Sequence, residues 1–237
     1  MDSDAGGQPY DADLMAAVTE LGTALRDLVS VSVLTTVPAD ELRAAAAEAR
    51  VLTARLAAAR RPSNQLPVLD DPVVFRRVHN PVTGVGSALA PPLQIRRADG
   101  GLVAEAELGP AYEGPPGYVH GGVSSLLMDQ LLGSAVIAAG LWGMTAQLEL
   151  GYHRPVPLDT PLVLRARVGE NRGRRTTATG SIARADEPDR PLVEARGVWV
   201  TPREEAREAY FGSITNASGQ YAPPRRPTDA TAPSDRP

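Results

Sequence analysis

The sequence contains no cysteine. That absence removes disulfides, thiolate metal sites, iron–sulfur clusters and cysteine nucleophiles together. Histidine is scarce as well. His79, His120 and His153 are the only three, and none is spaced as HxxxH or HxH, so a transition-metal site would need mostly carboxylates. Neither a metal nor any other cofactor is expected. The formal charge is only -4 over 237 residues, which gives no overall field favouring nucleic acid or an anionic membrane. Any anionic ligand must then be met by local clusters of arginine. Three motif classes are also missing: the GxSxG serine elbow, the Walker phosphate loop and the dinucleotide GxGxxG. The start, Met1-Asp2-Ser3-Asp4-Ala5-Gly6-Gly7, is acidic and lacks the basic residues and apolar stretch of a secretory signal, so a cytoplasmic location is expected.

What is present suffices for one ordinary domain with extra segments at its ends. From Asp11 to about Arg60, helix formers dominate, with a break at Val37-Pro38, which predicts two helices. In the second, starting at Ala39 or Asp40, the residues Leu42, Ala45, Ala46, Ala49, Leu52 and Leu56 keep a helical period that would bury one stripe. Residues 1–62 are therefore expected to be a helical extension, serving either to cap the fold or support a dimer, or to dock a partner or a membrane surface. Proline and asparagine mark residues 61–92 as an extended connector, inside which the compact domain, residues 63–202, begins. Residues 203–237 are rich in charge, proline and small polar residues, and predict a short frayed helix and a largely disordered tail.

Within the domain, residues 93–97 and 102–108 predict a hairpin about the turn Ala98-Asp99-Gly100-Gly101. The most apolar stretch of the chain follows, from about Gly121 to Leu141. Its length would cross a bilayer, but it carries Asp129 in mid-span and is flanked by strand-like sequence, so a buried central helix and no stable membrane insertion are expected. Four more strands are predicted at Met144–Tyr152, Pro161–Glu170, Arg174–Ala185 and Pro191–Val200. In the second of these, Leu162, Leu164 and Ala166 alternate with Val163, Arg165 and Arg167. Two strands, one apolar helix and four strands make an α+β fold, an antiparallel sheet wrapped around one helix. Such a sheet leaves its edges open, which predicts a dimer or a dimer of dimers.

The chemistry concentrates between Gly117 and Asp129. Gly121 and Gly122 at a helix start can present free N–H groups to a developing oxyanion, or can merely relieve a tight corner. Asp129 in a greasy helix is a candidate general base or nucleophile, or else a hydrogen-bonded structural group. Seven residues separate Gly122 from Asp129, roughly 10 Å along a helix. The two therefore cannot share one carbonyl carbon within a chain, whereas two helices across a two-fold axis could bring them together. His120 could bond a substrate carbonyl or simply cap the helix. Thr145 could hold a water for Asp129 or simply form strand. Arg172, Arg174 and Arg175 around Gly173 form the densest basic turn, a phosphate contact or a solvated hairpin tip, and Arg154 is a second cationic candidate.

The segments Glu113 to Gly117, His120-Gly121-Gly122, Asp129, Gly143 to Leu148 and Tyr152 to Leu158 together resemble the hotdog-fold acyl-CoA thioesterases of the PaaI-like superfamily, nearest to the thioesterase superfamily member 4 type. The likeness covers roughly residues 80–202. It implies hydrolysis of acyl-CoA, in lipid metabolism, to a free acid and CoA, with the residue matching Asp129 as base or nucleophile. The positions matching His120 and Gly121 shape the oxyanion hole. Thr145 assists from the same chain as the acid, opposite the other subunit's glycine end. Asn80 lines the pocket by the same resemblance, and Gly122, Arg154 and the Arg172–Arg175 turn are substrate-binding candidates. Glu113 and Gly114 stand where some relatives carry an asparagine, so a side-chain amide role there is not expected to transfer. Two rival functions share the pocket: a hotdog acyl-CoA hydratase, and a non-catalytic acyl-CoA-binding or scaffold protein.

Overall fold

The computed structural model describes residues 10–71, 75–98 and 100–220. The acidic first residues, Asp99 in the hairpin turn and the tail from 221 onward lie outside them. The chain runs α1 (Ala12–Leu34), α2 (Ala39–Ala57), β1 (Gln94–Ala98), β2 (Gly101–Ala106), a 3-10 turn (Pro110–Tyr112), α3 (Gly121–Ala138), β3 (Met144–Tyr152), β4 (Leu162–Arg172), β5 (Arg175–Arg184), β6 (Val193–Val200) and α4 (Glu204–Phe211). One six-stranded sheet, in the order β1-β2-β4-β5-β6-β3, is antiparallel throughout. It curls around α3 as the hotdog arrangement requires.

The core forms where α3 meets the alternating apolar positions of the sheet. Leu127, Met128, Leu131, Leu132, Ala135 and Val136 bury against Leu164, Ala166, Ala178, Ile182 and Trp199, each large side chain contributing about 1.5–3 kcal/mol. The helix comes so close to β5 that a Cβ on Gly180 would lie 2.7 Å from the Met128 terminal methyl. α3 ends where Gly140 takes a φ of +74° and Leu141 N–H bonds back to the Val136 carbonyl, the left-handed cap glycine favours. Among the described residues α3 is the one helix long and apolar enough to span a bilayer. Here its apolar surface is the floor of the sheet.

α1 is tied down by two contacts. Gly22 lies against the backbone of Val85 and Gly86, and the Arg26 guanidinium donates to the Val85 and Ser87 carbonyls, both at 2.9 Å. α2 differs from expectation. None of its residues is buried, and of the anticipated stripe only Leu52 is half-covered. The periodicity was a property of the helix alone and did not guarantee a covering surface within the same chain. The C-terminal segment holds the expected short helix, α4, which packs on the domain. Phe211 packs edge-on against Trp142 with ring centroids 6.1 Å apart, and Leu66 N–H donates to the Thr215 carbonyl at 2.8 Å. Residues through 217 thus pair with the connector at 64–66, across both boundaries drawn from composition.

Candidate active site

The residues singled out in the sequence fall at the two ends of β3. At one end, the N-terminus of α3, the His120 side chain caps the helix: Gly122 N–H donates to its Nδ1 at 3.0 Å, while its carbonyl accepts from Val123 and Ser124 N–H. Gly122 N–H is therefore occupied within the chain. Gly121 N–H is the donor of the first turn left to face outward. Glycine at 122 suits the cap, because a Cβ there would sit 3.1 Å from the ring nitrogen it must bond. Since Nδ1 accepts, the neutral ring carries its proton on Nε2 and can donate it to a ligand.

At the other end, the Thr145 hydroxyl donates to Asp129 Oδ1 at 2.8 Å. The pair exists because of an irregularity in β3. Leu148, Leu150 and Tyr152 face inward opposite Gly197, Ala195 and Val193, so strict alternation would send Thr145 to the outer face. A bulge between Thr145 and Gln147 shifts the register and sets Thr145 opposite buried Trp199 instead. One extra residue re-aims the hydroxyl, as bulges beside functional sites do. Asp129 itself is half-buried rather than sealed. α3 is apolar around most of its circumference, but the sheet covers only one side and leaves Leu126, 41% exposed, and Asp129 towards the open side.

The remaining candidates separate. Asn80 sits against α3 but uses both ends of its amide within the chain, the oxygen accepting from Val82 and Thr83 N–H and the nitrogen donating to Gln130 Oε1 at 2.8 Å. Arg154 holds the β5–β6 loop, donating to the Arg190 and Pro191 carbonyls at 2.9 and 3.0 Å. Arg172 pairs with Glu170 at 3.0 Å and Arg174 donates to the Thr201 carbonyl, whereas Arg175 is exposed. Gly173, with φ +62°, makes the turn. Arg175, Val200 and Met144 share one row across β5, β6 and β3, which puts the basic turn about 10 Å from the start of β3, on the Asp129 side. Glu113 is a turn residue, its carboxylate accepting from Gly117 N–H at 2.8 Å, and Gly114 lets that turn lie against His120. Among the described residues no three histidine, aspartate or glutamate side chains are grouped to hold a metal.

Two neighbours of the site were missed. Tyr152, at the end of β3, reaches back to donate to the Gly121 carbonyl at 2.8 Å, and Ser125 Oγ lies 2.9 Å from its hydroxyl. Period-two alternation could have aimed Tyr152 inward, but no sequence pattern reveals that it meets the helix start.

The sequence of the thioesterase superfamily model matches residues 116–190, which span both ends of this site. A solved thioesterase superfamily protein superposes with a TM-score of 0.68 and is 36% identical, over 77% of this chain and 94% of that one. The chain belongs to the thioesterase superfamily. Curated relatives include the acyl-coenzyme A thioesterase THEM4 of Xenopus laevis, 30% identical over 91 residues, and that of Bos taurus, 34% identical over 92 residues. These matches cover 38% and 39% of this chain and 41% and 37% of the relatives, so the aligned part spans about two-fifths of each relative's length. His120, Gly121, Asp129 and Thr145 all lie inside the matched segment.

Proposed function

We propose that the protein is an acyl-CoA thioesterase, hydrolysing the thioester to a free acid and CoA at two equivalent sites formed between two copies of the chain. The observation that carries this reading is the separation of the two half-sites along β3. Gly121 and Asp129 are eight residues apart on one helix, about 12 Å, too far to act on one carbonyl. β3 is the open edge of the sheet and none of its nine residues is buried. Antiparallel pairing of two β3 strands about their middle would bring the Thr145–Asp129 end of one chain beside the His120–Gly121 end of the other, completing the site and closing the exposed edge.

In that site the thioester oxygen accepts from Gly121 N–H and from His120 Nε2–H, the donors that hold the charge developing on it. Asp129 of the other chain either attacks the carbonyl carbon, giving an acyl anhydride that water then hydrolyses, or takes a proton from the water that attacks. Thr145 binds Oδ1 and so orients Oδ2 toward the reaction. CoA departs as its thiolate when the C–S bond breaks and is protonated at the expense of the water consumed. Its phosphates meet the basic turn, where Arg175 is exposed and has no side-chain partner among the described residues. The chain has no lysine, so every such contact falls to arginine.

The test is free-thiol release from a panel of short, medium, long and aromatic acyl-CoAs, read with a thiol-reactive dye. The absence of cysteine keeps the background clean. The wild type is expected to release thiol and Asp129→Asn to lose at least about a hundred-fold in kcat. Binding of acyl-CoA without thiol release would move the assignment to a non-catalytic acyl-CoA carrier.

A further inference from the structure

The peptide between Gly121 and Gly122 is gripped from both sides. Its carbonyl accepts the Tyr152 hydroxyl at 2.8 Å and the Ser125 hydroxyl at 3.2 Å. Its N–H donates to His120 Nδ1 at 3.0 Å. Tyrosine, peptide and imidazole therefore form one continuous series of hydrogen bonds ending at His120 Nε2–H. Bonds in series polarise one another: a donor on the carbonyl makes the N–H of the same peptide a better donor to Nδ1. The same grip fixes the plane of the peptide on which the cap depends.

The Tyr152 ring leaves room at residue 121, where a Cβ would stand 3.5 Å from the phenolic oxygen and 3.6 Å from two ring carbons, both ordinary contacts. Tyr152 is 53% exposed in the single chain, and a hydroxyl with open water beside it has no need of a protein partner. It nevertheless points at the turn that carries the candidate oxyanion donors.

We propose that Tyr152, supported by Ser125, is a positioning residue that acts through the Gly121–Gly122 peptide to hold His120 in its Nε2–H form and to keep the Gly121 N–H aimed at the substrate oxygen. This rests on the thioesterase reading for its consequence in turnover. It does not rest on that reading for its consequence in the histidine ring. Tyr152 touches no reacting atom. Its effect should therefore appear in kcat, through an oxyanion less well held, and not in binding of the CoA portion.

The experiment uses the full chain with Tyr152→Phe, which keeps the ring and removes only the hydroxyl, and reads two quantities. The first is the long-range nitrogen–proton NMR spectrum of the imidazoles at a pH where they are neutral, with His120 assigned by its loss in His120→Gln. In the wild type His120 should show the Nε2–H pattern, and in Tyr152→Phe a mixture of the two tautomers. The second is steady-state hydrolysis, in which kcat should fall about ten-fold while KM stays within about two-fold. An unchanged His120 pattern in Tyr152→Phe overturns the proposal whatever the turnover does. If the wild type hydrolyses no acyl-CoA, the thioesterase reading fails and the imidazole spectrum still decides the role of Tyr152. Should Tyr152→Phe not fold, Ser125→Ala, which removes the second donor to the same carbonyl, is read in the same way and against the same outcomes.

Discussion

Thr145 Oγ1 and Asp129 Oδ1 meet at 2.8 Å because β3 carries one residue more than its partner strand needs. The bulge at Ala146 is thus part of the site. Deleting Ala146 would remove the bulge yet leave Thr145 beside outward-facing Gln147 and still opposite Trp199, so the hydroxyl is tested by removing it, in Thr145→Ala. The kcat of Thr145→Ala should fall about ten-fold or more, with retention of secondary structure by circular dichroism. A Thr145→Ala variant as active as wild type would show that the hydroxyl plays no part.

The anchoring of α1 yields a stability prediction. A Cβ on Gly22 would fall 2.2 Å from the Val85 carbonyl oxygen, a backbone atom that cannot swing aside. Gly22→Ala should therefore raise the helix propensity of α1 and yet weaken its docking by about 1–3 kcal/mol. Limited proteolysis would detect this as faster cleavage between α1 and the domain. Unchanged cleavage would mean that the helix can shift to accept the methyl.

Tyr112 links the 3-10 turn to the connector, donating to the Leu89 carbonyl at 3.1 Å. Burial pushes its phenol up from the usual value, and the Arg26 guanidinium offsets this in part. The folded state thus holds the phenolic proton more tightly than the unfolded chain does. Its contribution is complete below the unfolded value of about 10 and is lost as pH rises through the higher folded value. Between pH 9 and 11, on the order of these tyrosine values, Tyr112→Phe should lose less stability than wild type in urea denaturation, although it starts about 1 kcal/mol lower for want of the hydrogen bond. Parallel decline in the two proteins would count against this origin of the alkaline loss.

Much of the fold was legible because its signals are local. Leu162, Leu164 and Ala166 alternate with Val163, Arg165 and Arg167, and the apolar run that begins at Gly121 marks out α3, which ends at Ala138. The separation of Gly122 from Asp129 was legible too, since helix rise is fixed. What could not be read depends on contacts distant in sequence. The extra residue at Ala146 looks like any other strand alanine until β6 sets the register. Tyr152 meets Gly121 only after β3 returns along the helix. Likewise, nothing in the spacing of Arg154 says that its guanidinium is taken up by the carbonyls of residues 190 and 191. The periodic face of α2 illustrates the converse limit, a clear local pattern with no covering surface among the described residues.

The shared site is tested most directly by subunit complementation. Asp129→Asn and His120→Ala each disable one half-site, so each homodimer should be inactive. Co-folding equal amounts should yield hybrids in which one site has both defects and the other has neither. Thiol release is then expected to return to about a quarter of the wild-type rate. Hybrids verified by mass spectrometry that release no thiol would contradict a site built from two chains.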